Sequence, residues 1–385
     1  MYLNNAATTW PKPEIVYETV DDCFRTMNSP GRSISEEGER SCAVMNNCRA
    51  EVAEFLGIQD PSRLVFTPSC TYASNLAIQG LRWQPGDVAI MSGLEHHAVS
   101  RPIRKVSREH GIEFQVAPYA PDQPIDFDFV EQQLKTGKVK LVACTMAANV
   151  TGDIFPSKQL GELVKSYGAL YLVDAAQSAG VLPVNVNDLH ADMLTVAGHK
   201  GMFGPPGVGC LFVREGIELN SLAEGGTGRD SGKHDMSERF PSNYEVGTHN
   251  LLSIVGLTAG VRWVHQAGLD NIRAHEEALA TRFIEGLRQR DDVTIYGTTE
   301  MSRRSSVVSV TFEQISPQEM AVWLAENHQI ATRPGYHCAP LAHETIGTLP
   351  GDGTLRFSFG YFNTLDEVDQ LLGIMADAPT TAAAA

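Results

Sequence analysis

The sequence has no long apolar run and comparatively little basic charge. No stretch approaches the roughly 20 consecutive apolar residues that a membrane-spanning helix needs. The N-terminal letters MYLNNAATTWPKP show neither the basic start nor the apolar core of a secretory signal. The 30 lysines and arginines are outnumbered by 46 aspartates and glutamates, which gives a net charge of −16. We therefore expect no membrane partner, no secretion and no broad surface for nucleic acid.

Paired cysteines are also missing. The chain has seven cysteines, an odd number, and no C-x-x-C pair. The spacing therefore indicates neither a disulfide framework nor a zinc site. We expect reduced thiols, most of them buried as small apolar side chains, in a cytoplasmic protein. The one low-complexity stretch is the alanine-rich C-terminal end, and we expect residues 379–385 to be disordered.

What the sequence does contain is an alternation of short apolar runs with helical patterns. The 43% of hydrophobic residues in a chain of 385 can build a sizeable core, and the length allows about two or three domains of roughly 100–200 residues. The apolar runs of the first half are 64–67, 87–91, 112–116, 139–145, 169–173 and 193–197. Their alternation with helical patterns predicts an α/β fold with a doubly wound, mostly parallel sheet.

The pattern changes from about residue 271. Beyond that point the predicted strands are 293–296, 306–312, 329–333 and 354–359. Long helices separate them, which is typical of a smaller α+β domain packed on the first. We expect an N-terminal arm at 1–12, a large domain at 13–250 and a small C-terminal domain at 251–378. Within the large domain, the polar stretch 33–39 predicts a mobile loop.

Two charged residues lie at or shortly after the ends of two of the apolar runs, 169–173 and 193–197. Asp174 ends the first, and Lys200 comes three residues after the second. The carboxyl ends of parallel strands meet at one sheet edge, where ligands bind in open α/β folds. An acid and a lysine there suit pyridoxal phosphate (PLP), whose aldehyde bonds to a lysine and whose pyridine nitrogen faces an acid. A salt bridge at the sheet edge is the alternative, and these two residues alone favour it.

Three further segments converge on the same edge. The turn at 68–71 precedes a helix, and its hydroxyl residues indicate either a phosphate site or an ordinary N-cap. His96 follows another strand and could stack on a flat ring or play a structural role. A metal site with His97 is disfavoured because no third ligand lies at a useful spacing. Asn149 follows a third strand. This convergence favours a functional site over an isolated salt bridge.

In the order and spacing of its motifs the chain resembles cysteine desulfurases, within the class V aminotransferase-like group of fold-type I PLP enzymes. It looks most like the group II branch, which includes selenocysteine lyases. The resemblance extends from Tyr2 to about Leu372 and rests on the motifs SCT, EHH, VDAAQ, AGHK, VGTHN, RPGYHCA and LRFSFGYFNT. It implies PLP as the cofactor, a large domain with a mostly parallel seven-stranded sheet, and a homodimer.

The resemblance also assigns cofactor-binding roles. The matching positions are Cys70, Thr71, His96, Asn149, Asp174, Gln177, His199, Lys200 and Thr248. Lys200 would bond to the aldehyde, Asp174 would face the pyridine nitrogen, and Gln177 would face the phenolic oxygen. His96 would stack on the ring and take part in catalysis, although His97 remains an alternative. The phosphate would be held by Cys70, Thr71 and His199, and by Thr248 of the neighbouring subunit.

Two more residues would carry the reaction. Cys338 matches the family's persulfide-forming cysteine, so with Lys200 and His96 it completes the catalytic set. Arg356 matches the arginine that binds the substrate carboxylate, a role shared with Asn149. Neighbouring His337 could assist deprotonation of Cys338 or only position its loop. The chain departs from the family pattern at Ala197, where Ser or Thr is frequent, and at Ser69-Cys70, where Gly-Thr is common. These departures could weaken cofactor affinity.

The expected function is a PLP-dependent cysteine desulfurase. It would convert L-cysteine to L-alanine and pass a persulfide from Cys338 to an acceptor protein. One alternative is a selenocysteine or cyst(e)ine lyase that releases selenide or sulfide directly. The motifs are also compatible with a class V aminotransferase or epimerase that acts on another amino acid, and with a non-catalytic sulfur carrier on the same fold. The sequence leaves open the choice between sulfur and selenium and the identity of the acceptor.

Overall fold

The structure is a computed structural model that describes residues 1–228, 232–236 and 239–378. The predicted disordered tail, 379–385, lies outside the described residues. The helices are α1 (Glu14–Thr26), α2 (Glu36–Phe55), α3 (Cys70–Gln79), α4 (His97–His110), α5 (Phe127–Leu134), α6 (Ser157–Ser166), α7 (Leu251–Ala267), α8 (Leu269–Leu287), α9 (Pro317–His328), α10 (Pro340–Thr345) and α11 (Leu365–Ala376). The strands are β1 (Leu64–Thr67), β2 (Val88–Ser92), β3 (Glu113–Ala117), β4 (Val139–Thr145), β5 (Leu170–Asp174), β6 (Met193–Ala197), β7 (Gly209–Val213), β8 (Val293–Tyr296), β9 (Val307–Phe312), β10 (Arg333–Gly335) and β11 (Thr354–Ser358).

The first seven strands form one sheet in the order β1-β7-β6-β5-β4-β2-β3. The pairs β2–β3, β2–β4, β4–β5 and β5–β6 are parallel, whereas β7 runs antiparallel to both of its neighbours. One strand therefore runs against the other six. The predicted doubly wound, mostly parallel seven-stranded sheet is confirmed.

Helices cover both faces of this sheet. Strands β2, β6 and β7 are buried at every position, as expected for strands covered on both faces. Successive side chains alternate between the two cores: Ile90 packs with α2, α5, α6 and α7, whereas Ala89 and Met91 pack with α3 and α4. The apolar runs are continuous for this reason, and the polar residues concentrate at the strand ends.

The C-terminal part contains a second sheet of four antiparallel strands in the order β10-β11-β9-β8. Helices α8, α9 and α11 pack on it and share an apolar core that includes Phe283, Leu324 and Leu371. Capping boxes open α9 and α11 and fix where these helices begin. The expected smaller α+β unit is therefore observed.

Helix α7 packs with the large sheet rather than with the four-stranded one. Its Leu251, Ile254 and Leu257 belong to the same core cluster as α2 and the β strands of the large sheet. The expected domain boundary at residue 251 stays a prediction, because α7 connects the two units and packs against the large one. In the described ranges, no helix is both long and apolar enough to span a bilayer.

Two local predictions were wrong. The strand predicted at 329–333 begins only at Arg333, because Gln329 adopts a left-handed conformation (φ 55°) that ends α9. The residues in between pair with the N-terminal arm instead: Leu3 N–H donates to Ala331 O at 2.9 Å. The loop predicted at 33–39 is largely helical, because the Ser35 side chain caps α2. Pairing with the N-terminal arm therefore overrode the predicted strand at 329–333, and a helix cap overrode the predicted loop at 33–39.

The N-terminal arm runs between the two sheets. Ser358 N–H donates to Leu3 O at 2.8 Å, and Thr9 N–H donates to His199 O at 3.2 Å. Two arm side chains, Thr8 and Thr9, also donate to His199 O. The arm therefore ties β11 of the small unit to the segment that contains Lys200.

Candidate active site

A cavity of about 200 Å³ lies at the carboxyl edge of the parallel strands. The predicted site residues that line it are Cys70, Thr71, His96, Asn149, Asp174, Gln177, His199, Lys200 and Arg356. Two predicted residues, Cys338 and Thr248, are not among its lining residues. Most of the predicted site residues therefore lie around one cavity, as expected for residues at the carboxyl ends of parallel strands. The individual roles of these residues stay predictions.

Asp174 ends β5 at the bottom of this cavity and is 3% exposed. Its Oδ1 accepts a hydrogen bond from Ala176 N–H at 2.9 Å and lies 3.6 Å from the Cys70 thiol. Burial raises the pKa of Asp174, and the nearby Lys200 opposes that rise. Because Oδ1 is already held, the other carboxylate oxygen is left for a cationic N–H group such as a protonated pyridine.

Lys200 follows β6 on the turn Gly198-His199-Lys200. Burial lowers the pKa of Lys200, whereas Cys70 and Asp174 raise it. A lowered pKa increases the fraction of neutral amine, which is the form that attacks an aldehyde. Burial also lowers the pKa of His199 to about 4, so this ring is neutral near pH 7. The pair therefore combines a nucleophilic amine with a neutral polar ring.

The turn before α3 meets the requirements of a phosphate site. The Ser69 side chain caps the helix by accepting from Tyr72 N–H at 3.1 Å. The backbone N–H groups of Cys70 and Thr71 have no hydrogen-bond acceptor within the described part of the chain. They point from a helix N-terminus, where the helix dipole favours an anion. The N-cap and phosphate interpretations are thus compatible, because the cap leaves two donors free.

Gly209 allows β7 to approach this turn. A Cβ at Gly209 would lie 2.5 Å from the backbone N of Cys70. That distance is far shorter than van der Waals contact, so a larger residue would displace the turn. The position of the free N–H groups therefore depends on a glycine in a neighbouring strand.

His96, rather than His97, faces the cavity. It is the N-cap of α4, and its Nδ1 accepts from Ala98 N–H at 3.0 Å. Burial, with Lys200 next in effect, lowers the pKa of His96 to about 3. The neutral ring therefore carries its proton on Nε2. His97 is the first residue of α4, is half-exposed and does not line the cavity.

Arg356 provides a buried cation. It lies on β11, is 1% exposed, and donates from Nη1 to Asn149 O at 2.9 Å and from Nη2 to Asn4 Oδ1 at 3.2 Å. Both partners are neutral, and its Nε is unpaired within the described residues. Burial, then Arg333, lowers the pKa of Arg356 to about 9. A buried guanidinium with neutral partners suits an incoming carboxylate.

Sequence reasoning missed Arg333. This residue begins β10 and pairs in register with Arg356 on β11. Its Nη2 lies 3.2 Å from the Cys338 sulfur. Two like charges in opposite positions destabilise a sheet unless anions lie between them. The signal was present in RPGYHCA, but the apolar pattern predicted Arg333 as the end of a strand, whereas it is the start of one.

Cys338 is exposed and lies on a loop with an uncommon backbone. His337 and Cys338 both adopt left-handed conformations, with φ of 50° and 57°. Two hydrogen bonds from the large unit hold the loop: His97 N–H to Cys338 O and Asn149 Nδ2 to His337 O, each at 2.8 Å. This geometry brings an exposed thiol beside the cavity without placing it in the cavity wall.

The His337 ring lies inside the small unit. It is 2% exposed, and its Nε2 lies 3.0 Å from Thr354 Oγ1. Burial and the Arg356 charge lower its pKa well below the ordinary histidine value. Of the two roles left open for His337, the structure supports loop positioning. Thr248 is exposed in the single chain, and its contact with a neighbouring subunit stays a prediction.

A family model described as Aminotransferase class-V matches residues 1–371. A probable cysteine desulfurase of Pyrococcus abyssi is 31% identical over 98% of this chain and 94% of its own length. A cysteine desulfurase of Haloferax volcanii is 30% identical over 97% of this chain and 88% of its own length.

Solved structures give the same result. The apo cysteine desulfurase of Thermococcus onnurineus NA1 superposes with a TM-score of 0.90 at 32% identity, covering 98% of this chain and 94% of that one. The cysteine desulfurase CsdA of Escherichia coli gives a TM-score of 0.85 at 28% identity, with 98% and 94% coverage. Members of the family use PLP, which the free oxygen of Asp174, the Lys200 amine and the α3 turn fit. The chain therefore belongs to the aminotransferase class-V family.

Proposed function

We propose that the chain is a PLP-dependent cysteine desulfurase that converts L-cysteine to L-alanine and holds the sulfur as a persulfide on Cys338. The observation that carries this proposal is the position of the Cys338 thiol. It is exposed and lies 3.2 Å from the Arg333 guanidinium, and its loop is held by Asn149, a wall residue of the cofactor cavity that donates from Nδ2 to His337 O. The desulfurase names of relatives at about 31% identity support the same activity.

Substrate binding falls to Arg356. Its guanidinium is held by neutral oxygens of Asn149 and Asn4, so its charge is available to the α-carboxylate of an amino acid. A charge-assisted pair of this kind contributes about 1.5–3 kcal/mol. It would also orient the substrate between Lys200 in the large unit and Cys338 in the small one.

Lys200 is the group that removes the Cα proton of the substrate. When bound, PLP supplies an electron sink for the pair that the departing Cα proton leaves behind. Lys200 is an amine of lowered pKa in the same cavity and can take that proton at Nζ. His96 presents Nε2–H to the cavity as a hydrogen-bond donor, because its Nδ1 already accepts from Ala98 N–H. Lys200 and His96 are thus the groups that accept and donate protons, whereas the Asp174 carboxylate would face the pyridine nitrogen.

Sulfur transfer falls to Cys338. Its thiolate attacks the substrate sulfur, the substrate C–S bond breaks, and the S–S bond of a persulfide forms. The electron pair of the broken C–S bond stays with Cβ, which takes up a proton, and the proton that left Cα returns to it, so the product leaves as alanine. Arg333 stabilises the thiolate before attack, since its guanidinium already contacts the sulfur. An acceptor protein, and a homodimer in which Thr248 reaches the partner's phosphate site, are part of the same proposal.

A second candidate is a lyase that releases selenide or sulfide directly. One observation favours it: Cys338 is not a wall residue of the cavity, so the groups that act at Cα do not include this thiol. Selenocysteine has the better leaving atom and depends less on a thiol nucleophile. The two candidates therefore differ in whether turnover needs Cys338.

Product analysis tests both candidates. Purified protein loaded with PLP is incubated with cysteine, selenocysteine and cystine, and alanine, pyruvate and the released sulfide or selenide are measured. The desulfurase predicts alanine from cysteine, and loss of that activity in Cys338→Ala. Retention of cysteine turnover by Cys338→Ala would instead support the lyase, and pyruvate as the main product would contradict the desulfurase. Cys70→Ala is not a suitable control because Cys70 lines the cavity, whereas Cys42→Ala alters a thiol outside it.

A further inference from the structure

A smaller cavity of about 30 Å³ adjoins the cofactor cavity, and Lys200 and Gln177 line both. Its walls come from all three parts of the chain: Thr9 of the arm, Lys200 of the large unit, and Ser305 and Glu276 of the small unit. A buried water needs about 10–15 Å³ and several polar partners. The Ser305 hydroxyl has no hydrogen-bond partner among the described residues. The cavity therefore has the size and polarity to hold a water molecule.

Glu276 is the acid in this wall. It lies on α8, is 4% exposed, and forms no ion pair within the ranges that the structure describes. The Ser306 hydroxyl lies 2.8 Å from Glu276 Oε2 and 2.9 Å from Phe359 O. One hydroxyl proton cannot serve both oxygens fully. Both contacts are satisfied if Glu276 carries a proton and donates it to Ser306, while Ser306 donates to Phe359.

The charges around Glu276 are few. Lys200 faces it across the cavity, and Arg273 lies one turn earlier on α8. The Arg273 guanidinium is engaged by the Met301 and Arg304 carbonyls and lies 3.4 Å from Glu277. Burial raises the pKa of Glu276 to about 7, and Ser306 and Arg273 oppose that rise. On the arm side, Lys12 donates to the hydroxyl of Thr9, a residue of the cavity wall.

We propose that Glu276 is a proton reservoir for Lys200, acting through a water molecule in the small cavity. In the forward step the O–H bond of Glu276 breaks as its proton passes to the water, and the water gives a proton to Lys200 Nζ. The reverse sequence returns the proton to Glu276. Lys200 can then release and regain protons during turnover without opening the cavity to solvent. This proposal rests on the proposed function, because it assigns Glu276 a role that acts through Lys200.

The first test compares Glu276→Gln with Glu277→Gln. The first substitution keeps the shape and removes the titratable proton, and the second is the adjacent, half-buried control on the same helix. We expect Glu276→Gln to lower kcat on cysteine about tenfold, less than the ~10²–10⁴-fold of a direct acid or base, with KM unchanged. Its kcat–pH profile should also lose the limb near pH 7. A profile equal to that of Glu277→Gln would overturn the proposal.

Ser305→Val tests the water separately. It replaces the unpartnered hydroxyl with two methyl groups and fills the cavity, while leaving Glu276 in place. We expect the same loss of the limb near pH 7 as in Glu276→Gln. A wild-type profile in Ser305→Val would contradict a relay through water, whatever the effect of Glu276→Gln on folding.

A third readout does not depend on activity. Infrared spectra of the full chain, with and without PLP, should show a carboxylic acid band that titrates near pH 7 and is absent from Glu276→Gln. The folded chain would hold this proton between the ordinary glutamate pKa and about 7. The unfolding free energy of the wild type relative to Glu276→Gln should therefore fall as pH rises through that window.

The outcomes separate the two proposals. A missing band, or an unfolding difference that does not change with pH, would overturn the reservoir. Absence of turnover on every substrate would contradict the proposed function. The infrared and unfolding measurements would then still decide whether Glu276 holds a proton.

Discussion

The floor and the rim of the cofactor cavity are held in different ways. The floor consists of Asp174, Lys200 and the α3 turn, all fixed at strand ends of the large sheet. The rim is the segment Arg333–Cys338 of the small unit. The floor is largely buried and held by the sheet. In the rim, Cys338 is exposed, His337 and Cys338 are both left-handed, and two hydrogen bonds from the large unit fix the loop.

This difference divides the chemistry. The floor residues suit PLP-dependent reactions in general, since an acid, a lysine and a phosphate turn serve any amino acid substrate. The rim supplies the groups that are specific to sulfur chemistry, a thiol beside a guanidinium. Substitutions in the floor should therefore remove all activity, whereas substitutions in the rim should change the fate of sulfur. The following predictions run from the largest expected effect to the smallest.

Lys200→Ala should cause the greatest loss. Without the amine there is no covalent attachment of PLP, and the group that moves the Cα proton is also removed. Loss of an acid–base group alone lowers kcat by ~10²–10⁴-fold. Visible absorbance and the mass of the borohydride-reduced protein would report the loss of the covalent bond, with Lys138→Ala as the exposed control. A Lys200→Ala protein that still formed the covalent adduct would break the assignment of the floor.

Arg356→Gln should weaken substrate binding. A charge-assisted hydrogen bond contributes about 1.5–3 kcal/mol, which corresponds to roughly a 10- to 150-fold loss in kcat/KM. Most of this loss should appear in KM, because the carboxylate is bound in both the ground and transition states. The cofactor absorbance should remain. An unchanged KM for cysteine would show that another group binds the carboxylate.

Gly209→Ala should damage the floor without touching a reacting group. The added methyl group would collide with the backbone of Cys70, and overpacking of this kind costs about 1–3 kcal/mol. Urea unfolding should show that loss, and PLP affinity should fall with it. Gly86→Ala is a useful comparison, since Gly86 has open space around it but a positive φ. Equal PLP affinity in Gly209→Ala and the wild type would contradict the phosphate site.

Arg333→Gln should have the smallest effect, and it should be confined to the rim. The Arg333–Cys338 contact is partly exposed, and exposed ionic contacts contribute about 0.2–1 kcal/mol. We expect the alkylation rate of Cys338 by iodoacetamide to fall by roughly 1.5- to 5-fold. Cofactor absorbance should not change. A changed absorbance would mean that rim and floor are coupled more tightly than the contacts indicate.

The floor could be predicted from sequence because its signals are local. Apolar runs that end at Asp174 or shortly before Lys200 place these residues on strand ends, and a parallel sheet brings strand ends together. The sequence left the choice between His96 and His97 open, and the structure favours His96, the N-cap of α4, because it lines the cavity and His97 does not. The sheet itself was predictable for the same reason, because most of its strands are apolar runs; β3, with Glu113 and Gln115, is an exception.

The rim could not be predicted as well, because its geometry depends on distant pairing. The start of β10 is set by the arm, which pairs with Ala331, and no local pattern shows this. Glu276 was missed for a different reason. It lies in the apolar stripe of α8, four residues after Ile272 and three before Leu279, whereas Glu277 does not. That spacing was readable, and it marked one of two adjacent acids as buried.

The most direct test of the account is the chemical state of Cys338 after a single turnover. The PLP-loaded protein is mixed with one equivalent of L-cysteine, quenched under non-reducing conditions and digested, and the peptide containing Cys338 is examined by mass spectrometry. The account predicts one added sulfur atom on Cys338, with one alanine formed per active site. Alanine formed with Cys338 unmodified, and sulfide released in equal amount, would contradict it.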